Sequence, residues 1–256
     1  MNGIILKDDA RYDHTENYLR NKGHIFYDTN MSPKNLDFVI FPFKKEIDKS
    51  IYNDDYFAAL KNNVLVFSGI RNAYVSEKCA EYELLYHAIM DDHGIAVKNA
   101  IPTSEGVITY LITNRSDTVA NSRVLIIGYG VCGRDLSKRL KALGANVYAL
   151  VRNREKECAA YADSIAPIYL DTLFTLSFDV IINTVPMCVL DDGMLEKTEG
   201  ALLIDIASEP YGFNMEHAKR LNAQSALLPG IPGKYAVQTA GKILGEYINH
   251  VLSRGR

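Results

Sequence analysis

The chain alternates short apolar runs with polar, amphipathic stretches. "GIIL" (3–6), "HIFYD" (24–28), "LDFVIFPF" (36–43) and "NVLVFSG" (63–69) each predict a strand. Between them "TENYLRNKG" predicts a helix closing on Gly23, and "DDYFAALKNN" another amphipathic segment. "EKCAEYELLYHAIMDD" (77–92) has apolar residues at helical spacing, so a helix ending at Gly94 is expected, with His87 inside it. Pro102 is expected to bar a helix through Ile101, and Thr103 or Ser104 can cap a new helix that starts just after. From residue 123 the alternation is more regular. "RVLIIG", "NVYALV", "SIAPIY", "DVIINTV", "ALLIDIA" and "AQSALLPG" are the candidate strands, and "VQTAGKILGEYINHVL" is a final helix.

Near-continuous apolar strands separated by helices predict parallel sheets covered on both faces, an α/β fold. The polar joint "RSDTVANS" places a domain boundary between Asn114 and Asn121. The expected organisation is an N-terminal parallel α/β domain (1–116), a second α/β domain (117–235) and a C-terminal helix (236–256) that can pack back on the first domain.

Composition narrows the class without changing this picture. Hydrophobic residues make up 48% and charged residues 23%, and 28 basic residues face 31 acidic ones for a net charge of −3. No basic stripe points to nucleic acid. The apolar runs are too short and too polar to span a bilayer, and charge appears too early for a signal-peptide core. Cys79, Cys132, Cys158 and Cys188 are scattered with no C-x-x-C pair, which predicts reduced thiols, a cytoplasmic setting and no metal site. His87 and His217 read as packing or surface residues.

"VLIIGYGVCGRDLSKRL" (124–140) carries the chemistry. Gly128, Gly130 and Gly133 form G-x-G-x-x-G between an apolar strand and an amphipathic helix that closes on Gly144 before the next strand. That context is the βαβ fingerprint of a Rossmann dinucleotide-binding domain. Gly128 permits the tight turn, Gly130 lets a pyrophosphate approach the backbone, and Gly133 lets helix and strand pack closely. Tyr129, Val131 and Cys132 complete the turn, and the helix N-terminus offers N–H groups to the anion. After the second strand an NAD site normally has Asp or Glu for the ribose hydroxyls. Here Arg152, Asn153 and Arg154 occupy that stretch, and guanidinium groups suit a 2′-phosphate, so NADP(H) is favoured over NAD(H).

Asn183, Thr184 and Pro186 end the fourth strand of this domain, and Asp205 and Ser208 follow the fifth. All are expected to border the nicotinamide side of the crevice, with Asp205 read as a structural acid. "LLPGIPGKY" (227–235) predicts a rigid loop holding Lys234, a candidate for pairing a substrate carboxylate or moving a proton. In the first domain Arg11, within "DDAR", and Ser68, Arg71 and Asn72, within "FSGIRNAY", lie at strand ends. Thr103, Ser104 and Glu105 are expected at a helix N-terminus. Together they suggest a cleft for an anionic dicarboxylate that closes on the substrate, with Arg11 as the carboxylate clamp.

"DDAR", "FSGIRNAY", "NAIPTSEG", "GYGVCG", "INTVP", "LIDIAS" and "LPGIPGKYAVQTAG" occur in the order and spacing of the dipicolinate synthase A-subunit family, which this chain resembles over nearly its whole length. It departs at Val237, where the family usually has proline, and at "EPYGFN" (209–214). The resemblance implies an NAD(P)-dependent oxidation of dihydrodipicolinate, or its hydroxytetrahydro precursor, to dipicolinate. It also implies partnership with a flavoprotein-like B subunit, in the mother-cell cytoplasm of a sporulating bacterium. Two other readings stand beside it. One is a D-2-hydroxyacid or amino-acid dehydrogenase, disfavoured because the arginine near Ser208 and the histidine after the last strand are missing. The other is an NADP-binding subunit whose partner does the chemistry.

Overall fold

A computed structural model describes residues 1–29, 32–43, 46–221 and 223–254. In chain order the elements are β1 (Asn2–Ile5), α1 (Arg11–Asn21), β2 (Ile25–Phe26), β3 (Phe38–Phe41), α2 (Asp54–Ala59), β4 (Leu65–Ser68), α3 (Ala73–Glu81), β5 (Leu85–Ala88) and α4 (His93–Asn114). Then follow β6 (Arg123–Ile127), α5 (Val131–Ala142), β7 (Asn146–Leu150), α6 (Arg154–Ala162), β8 (Ala166–Ile168), β9 (Val180–Asn183) and α7 (Asp192–Leu195). The last are β10 (Leu202–Asp205), α8 (Met215–Arg220), β11 (Ser225–Leu227), α9 (Ile231–Tyr235) and α10 (Val237–Arg254).

The chain divides into two compact units. The first comprises Met1–Asn99 with Ala236–Arg256, and the second Ala100–Tyr235. The division therefore falls inside α4, earlier than the polar joint at 115–122.

The first unit is a parallel five-stranded sheet in the order β2-β1-β3-β4-β5. Its strands alternate between two cores. Ile5, Phe38, Ile40, Leu65 and Phe67 face α1 and α10, while Ile4, Val39, Phe41 and Val66 face α2 and α3. Burial on both faces is why these strands read as unbroken apolar runs. α10 lies along α1, and the contact depends on two glycines. A Cβ on Gly241 would strike the Arg11 carbonyl, and one on Gly245 would strike the Tyr18 ring. Thr15 Oγ1 donates to the Gly241 carbonyl at 3.0 Å across the same crossing.

The second unit is a parallel six-stranded sheet in the order β11-β10-β9-β6-β7-β8. Counted within the unit this is the 3-2-1-4-5-6 order of a doubly wound dinucleotide fold, with the direction of winding reversing between β6 and β9. Val124 and Ile126 serve one core, Leu125 and Ile127 the other.

Three expectations are corrected. α4 runs without a break through Pro102, so Thr103–Glu105 is mid-helix and no helix N-terminus exists there. Proline removes one helical hydrogen bond and costs roughly 3 kcal/mol. Here Asp92 caps the start, accepting from Ile95 N at 3.0 Å, and Ile95, Val107 and Leu111 are buried on either side of the proline. Residues 77–92 are not one helix. α3 stops at Glu81, Glu83 takes a positive φ of 54°, and β5 follows, so His87 lies in a strand. The "LLPGIPGKY" stretch is not a loop to its end, because Ile231–Tyr235 forms α9. Pro232 is accommodated as the second residue of that helix, where its missing N–H costs nothing.

No helix among the described residues is long and apolar enough to cross a membrane. The α1–α10 crossing generates a test. Gly241→Ala gains up to about 1 kcal/mol of helix propensity but forces a backbone contact, and overpacking of this kind costs about 1–3 kcal/mol. Urea denaturation should show a lower midpoint; an unchanged or higher midpoint would mean the helices do not pack this closely.

Candidate functional site

β6 delivers the chain to a tight turn at the C-terminal edge of the second unit's sheet. Gly128 sits at φ +91°, and a Cβ there would collide with Val185 beyond the end of β9. Thr184 Oγ1 donates to the Ile127 carbonyl at 2.9 Å, which ties β9 to the turn. Gly133 is in the first turn of α5, and a Cβ on it would strike the Gly128 carbonyl. Two of the three glycines are thus fixed by close packing. Gly130 is different. It precedes α5 in an extended conformation, an added Cβ would have nothing within 4 Å, and no side chain caps the helix. An open space in front of uncapped N–H groups is what a pyrophosphate requires, so these residues fit a dinucleotide. Val131 and Cys132 are half-buried at that helix start. The Tyr129 side chain turns away: it is buried in the core and its hydroxyl donates to Asp163 at 3.0 Å, leaving only its backbone to the turn.

The stretch after β7 is exposed. Asn153 caps α6, accepting from Lys156 N at 3.0 Å, and Arg154 pairs with Glu157 at 3.0 Å. Arg152 is exposed and makes no ion pair among the described residues.

The ends of β9 and β10 are tied together. Asn183 and Asp205 are fully buried. Asn183 Nδ2 donates to Asp205 Oδ1 at 3.0 Å and to the Val185 carbonyl at 2.9 Å, and its Oδ1 accepts from Val185 N at 3.1 Å. Thr184 is half-buried, while Pro186 and Ser208 are exposed on the following loops. Lys234 is exposed on α9 and makes no ion pair among the described residues, and α9 is seated where Gly106 of α4 leaves room for Ile231 and Tyr235.

Within this unit Ser104 is buried and its hydroxyl has no partner among the described residues, Thr103 is half-buried, and Glu105 is exposed and pairs with Arg139 at 3.3 Å. The three do not form an anion-binding helix end.

In the first unit the strand-end residues lie at the edge expected of them, but their polar groups are largely satisfied internally. Arg11 is buried and bidentate to Asp9, with Nε and Nη2 each at 2.7 Å, and its guanidinium stacks on the Phe43 ring at 3.9 Å. Burial pushes the Asp9 carboxyl up, but its bonds from Arg11 outweigh this and hold it below the usual carboxylate range. Ser68 Oγ bonds the Ile70 carbonyl at 2.6 Å and meets the Tyr86 hydroxyl, which accepts from Asn72 N at 2.9 Å. Asn72 also caps α3 through Val75 N at 3.0 Å, and Arg71 is exposed and paired with Asp91 at 2.7 Å. Among the described residues no cluster of three potential metal ligands occurs.

Comparison with known proteins now bears on this geometry. Residues 105–206 match the family model of the D-isomer specific 2-hydroxyacid dehydrogenase NAD-binding domain. The dipicolinate synthase A subunit of Bacillus subtilis (strain 168) is 30% identical over 209 residues, covering 80% of this chain and 70% of that protein. The chain belongs to the dipicolinate synthase A-subunit family. Crystal structures of the A subunits from Bacillus halodurans (TM-score 0.90, 23% identity, 98% of this chain and 97% of that one) and from B. subtilis (TM-score 0.90, 24%, 100% and 96%) share the fold. The second unit is accordingly a dehydrogenase-type nicotinamide-dinucleotide-binding domain.

Sequence reasoning missed two participants in this dipicolinate synthase family member. Asp9 stands two residues before the singled-out Arg11, yet a bidentate i, i+2 pair depends on backbone geometry that spacing does not reveal. Gly212 lacked any motif; its role rests on a close approach to Asn183, whose side chain a Cβ would strike.

Two tests follow from the site. Gly130→Val should leave the melting temperature nearly unchanged while abolishing dinucleotide binding, whereas Gly133→Ala should cost about 1–3 kcal/mol of stability. A Gly130→Val chain that still binds would remove the turn from the site. For the Asp9–Arg11 pair, a folded-state pKa below the unfolded value of about 3.9 stabilises above that pH. This stabilisation is lost as pH falls through the folded value. Asp9→Asn should therefore flatten the acid limb of the stability curve below about pH 4; an unaltered limb would contradict the pairing.

Proposed function

We propose that this chain is the NADP-dependent subunit of a dipicolinate synthase, oxidising dihydrodipicolinate or its hydroxytetrahydro precursor to dipicolinate together with a second, flavoprotein-like subunit. The observation that carries the reading is the 30% identity to the B. subtilis protein over 209 residues, joined to a glycine turn with open space at Gly130. The setting proposed is the cytoplasm of a sporulating mother cell.

Nicotinamide, when bound, supplies the hydride acceptor. The chain's own residues bind, orient and move the proton. Gly130 and the N–H groups of Val131, Cys132 and Gly133 hold the pyrophosphate. Arg152 is the cation available to a 2′-phosphate, because Arg154 is engaged by Glu157 and Asn153 by its cap. Aromatisation of the ring is downhill, so the demand on the protein is to orient the ring and take up a proton. Lys234, exposed and unpaired among the described residues, is the group proposed to take the proton at Nζ from its neutral amine form, or as the ammonium to hold a substrate carboxylate. Arg11 and Arg71 are the first unit's candidate carboxylate partners. Arg11 reaches that role only through the N–H groups Asp9 leaves free, as a prealigned donor rather than a mobile clamp.

The test is a titration of the purified chain with NADP+ and NAD+, followed by turnover with the second subunit present. NADP+ should bind more tightly. Arg152→Ala should weaken NADP+ alone by about 1–2 kcal/mol, roughly five- to thirty-fold. Lys234→Ala should keep binding and lose most turnover. Equal affinities for both dinucleotides, or full turnover without Lys234, would overturn the respective assignment.

A further inference from the structure

Asp205 carries no cation among the described residues, is completely buried, and sits at the last position of β10. A carboxyl group taken out of water costs several kcal/mol unless donors surround it. Three do. Oδ1 accepts from Asn183 Nδ2 at 3.0 Å and from Ala207 N at 2.9 Å, and Oδ2 accepts from Gly212 N at 2.6 Å. Two donors belong to the loop after β10 and one to the end of β9, so one side chain ties two crevice loops.

The tie extends further. The Gly212 carbonyl accepts from Val189 N at 2.8 Å and Leu190 N at 3.1 Å, which fastens the far end of the β9 loop to the same residue. Gly212 is pressed on the Asn183 side chain so closely that no Cβ fits. Asn183 spends both amide hydrogens on Asp205 and Val185, and its neighbour Thr184 bonds the Ile127 carbonyl beneath the glycine turn. A path thus runs from the glycine turn by the Thr184 hydrogen bond, along the peptide link from Thr184 to Asn183, and by hydrogen bonds on to Asp205 and Gly212. Both loops leave the C-terminal ends of strands beside the reversal of the sheet, the edge at which doubly wound sheets bind ligands.

We infer that Asp205 is a positioning residue that sets the two loops bordering the nicotinamide end of the dinucleotide site, while leaving the adenosine end independent of it. This rests on the dinucleotide reading above. It predicts a split that a merely structural role would not produce. Loosening the loops should weaken the whole dinucleotide but not a ligand that carries only the adenosine half. The substitution Asp205→Asn keeps the size of the side chain but turns an N–H group toward one of the three donors, which breaks one arm of the tie.

The experiment uses NADP+ or NAD+, whichever the unmodified chain binds more tightly, and the matching half-ligand, adenosine 2′,5′-bisphosphate or ADP. Asp205→Asn should weaken the dinucleotide about tenfold or more and the half-ligand less than twofold. Gly212→Ala, which displaces Asn183 instead, should give the same split. Equal loss of both ligands in the variants that fold, or no loss of either, overturns the inference. Failure of the unmodified chain to bind any dinucleotide overturns the functional reading instead. Should neither variant fold, the unmodified chain decides by amide hydrogen exchange. Gly212 N–H should be protected like a strand amide, and exchange at the rate of an open loop would overturn the tie.

Discussion

The second unit depends on one steric constraint: three chain segments meet so closely that Gly128 and Gly133 can carry no side chain. Gly128 lets the end of β6 pass under Val185, Gly133 lets α5 descend onto the Gly128 carbonyl, and Thr184 closes the gap from β9. Close approach there aims the start of α5 at the open space in front of Gly130. The open space at the start of α5 is therefore a by-product of packing as much as of polarity. Asn183, next to Thr184, bonds Asp205, whose other oxygen accepts from Gly212 N, so the ends of β9 and β10 and the loop after β10 are tied together beside the turn.

The first unit solves a related problem differently. Its strand ends are rich in polar groups, and nearly all are satisfied within the unit. Asp9 holds Arg11 flat on Phe43, Tyr86 bridges Ser68 and Asn72, and Asp91 holds Arg71. Such pairing fixes side chains in advance, which lowers the entropy lost when a ligand is bound. It also means that charge count at a strand end overstates the charge on offer. Arg11 offers only the N–H edge that Asp9 leaves, not a free cation.

What was legible in the sequence follows from which forces act locally. The strands of both sheets showed because burial on two faces demands unbroken apolar residues, as in Val124–Ile127 and Phe38–Phe41. The glycine turn showed because steric demand dictates residue type at fixed spacing. Pro102 misled because a local rule was overridden by a cap at Asp92 and by burial of Val107 and Leu111 beyond it. Residues 84–88 misled because their apolar spacing suits a helix and a strand alike, and only the positive φ at Glu83 separates α3 from β5. Partnerships such as Asp9 with Arg11, or Asp205 with Gly212, are set by tertiary geometry and left no pattern to read.

The turn from Gly128 to Gly133 is proposed to hold the pyrophosphate of a nicotinamide dinucleotide, and a crystal structure of the chain with bound dinucleotide is the decisive test. Pyrophosphate oxygens are expected within about 3.2 Å of the backbone nitrogens at the start of α5, in the space beside Gly130. A dinucleotide whose phosphates lie away from that helix, or a chain that stays empty at saturating dinucleotide, would contradict it.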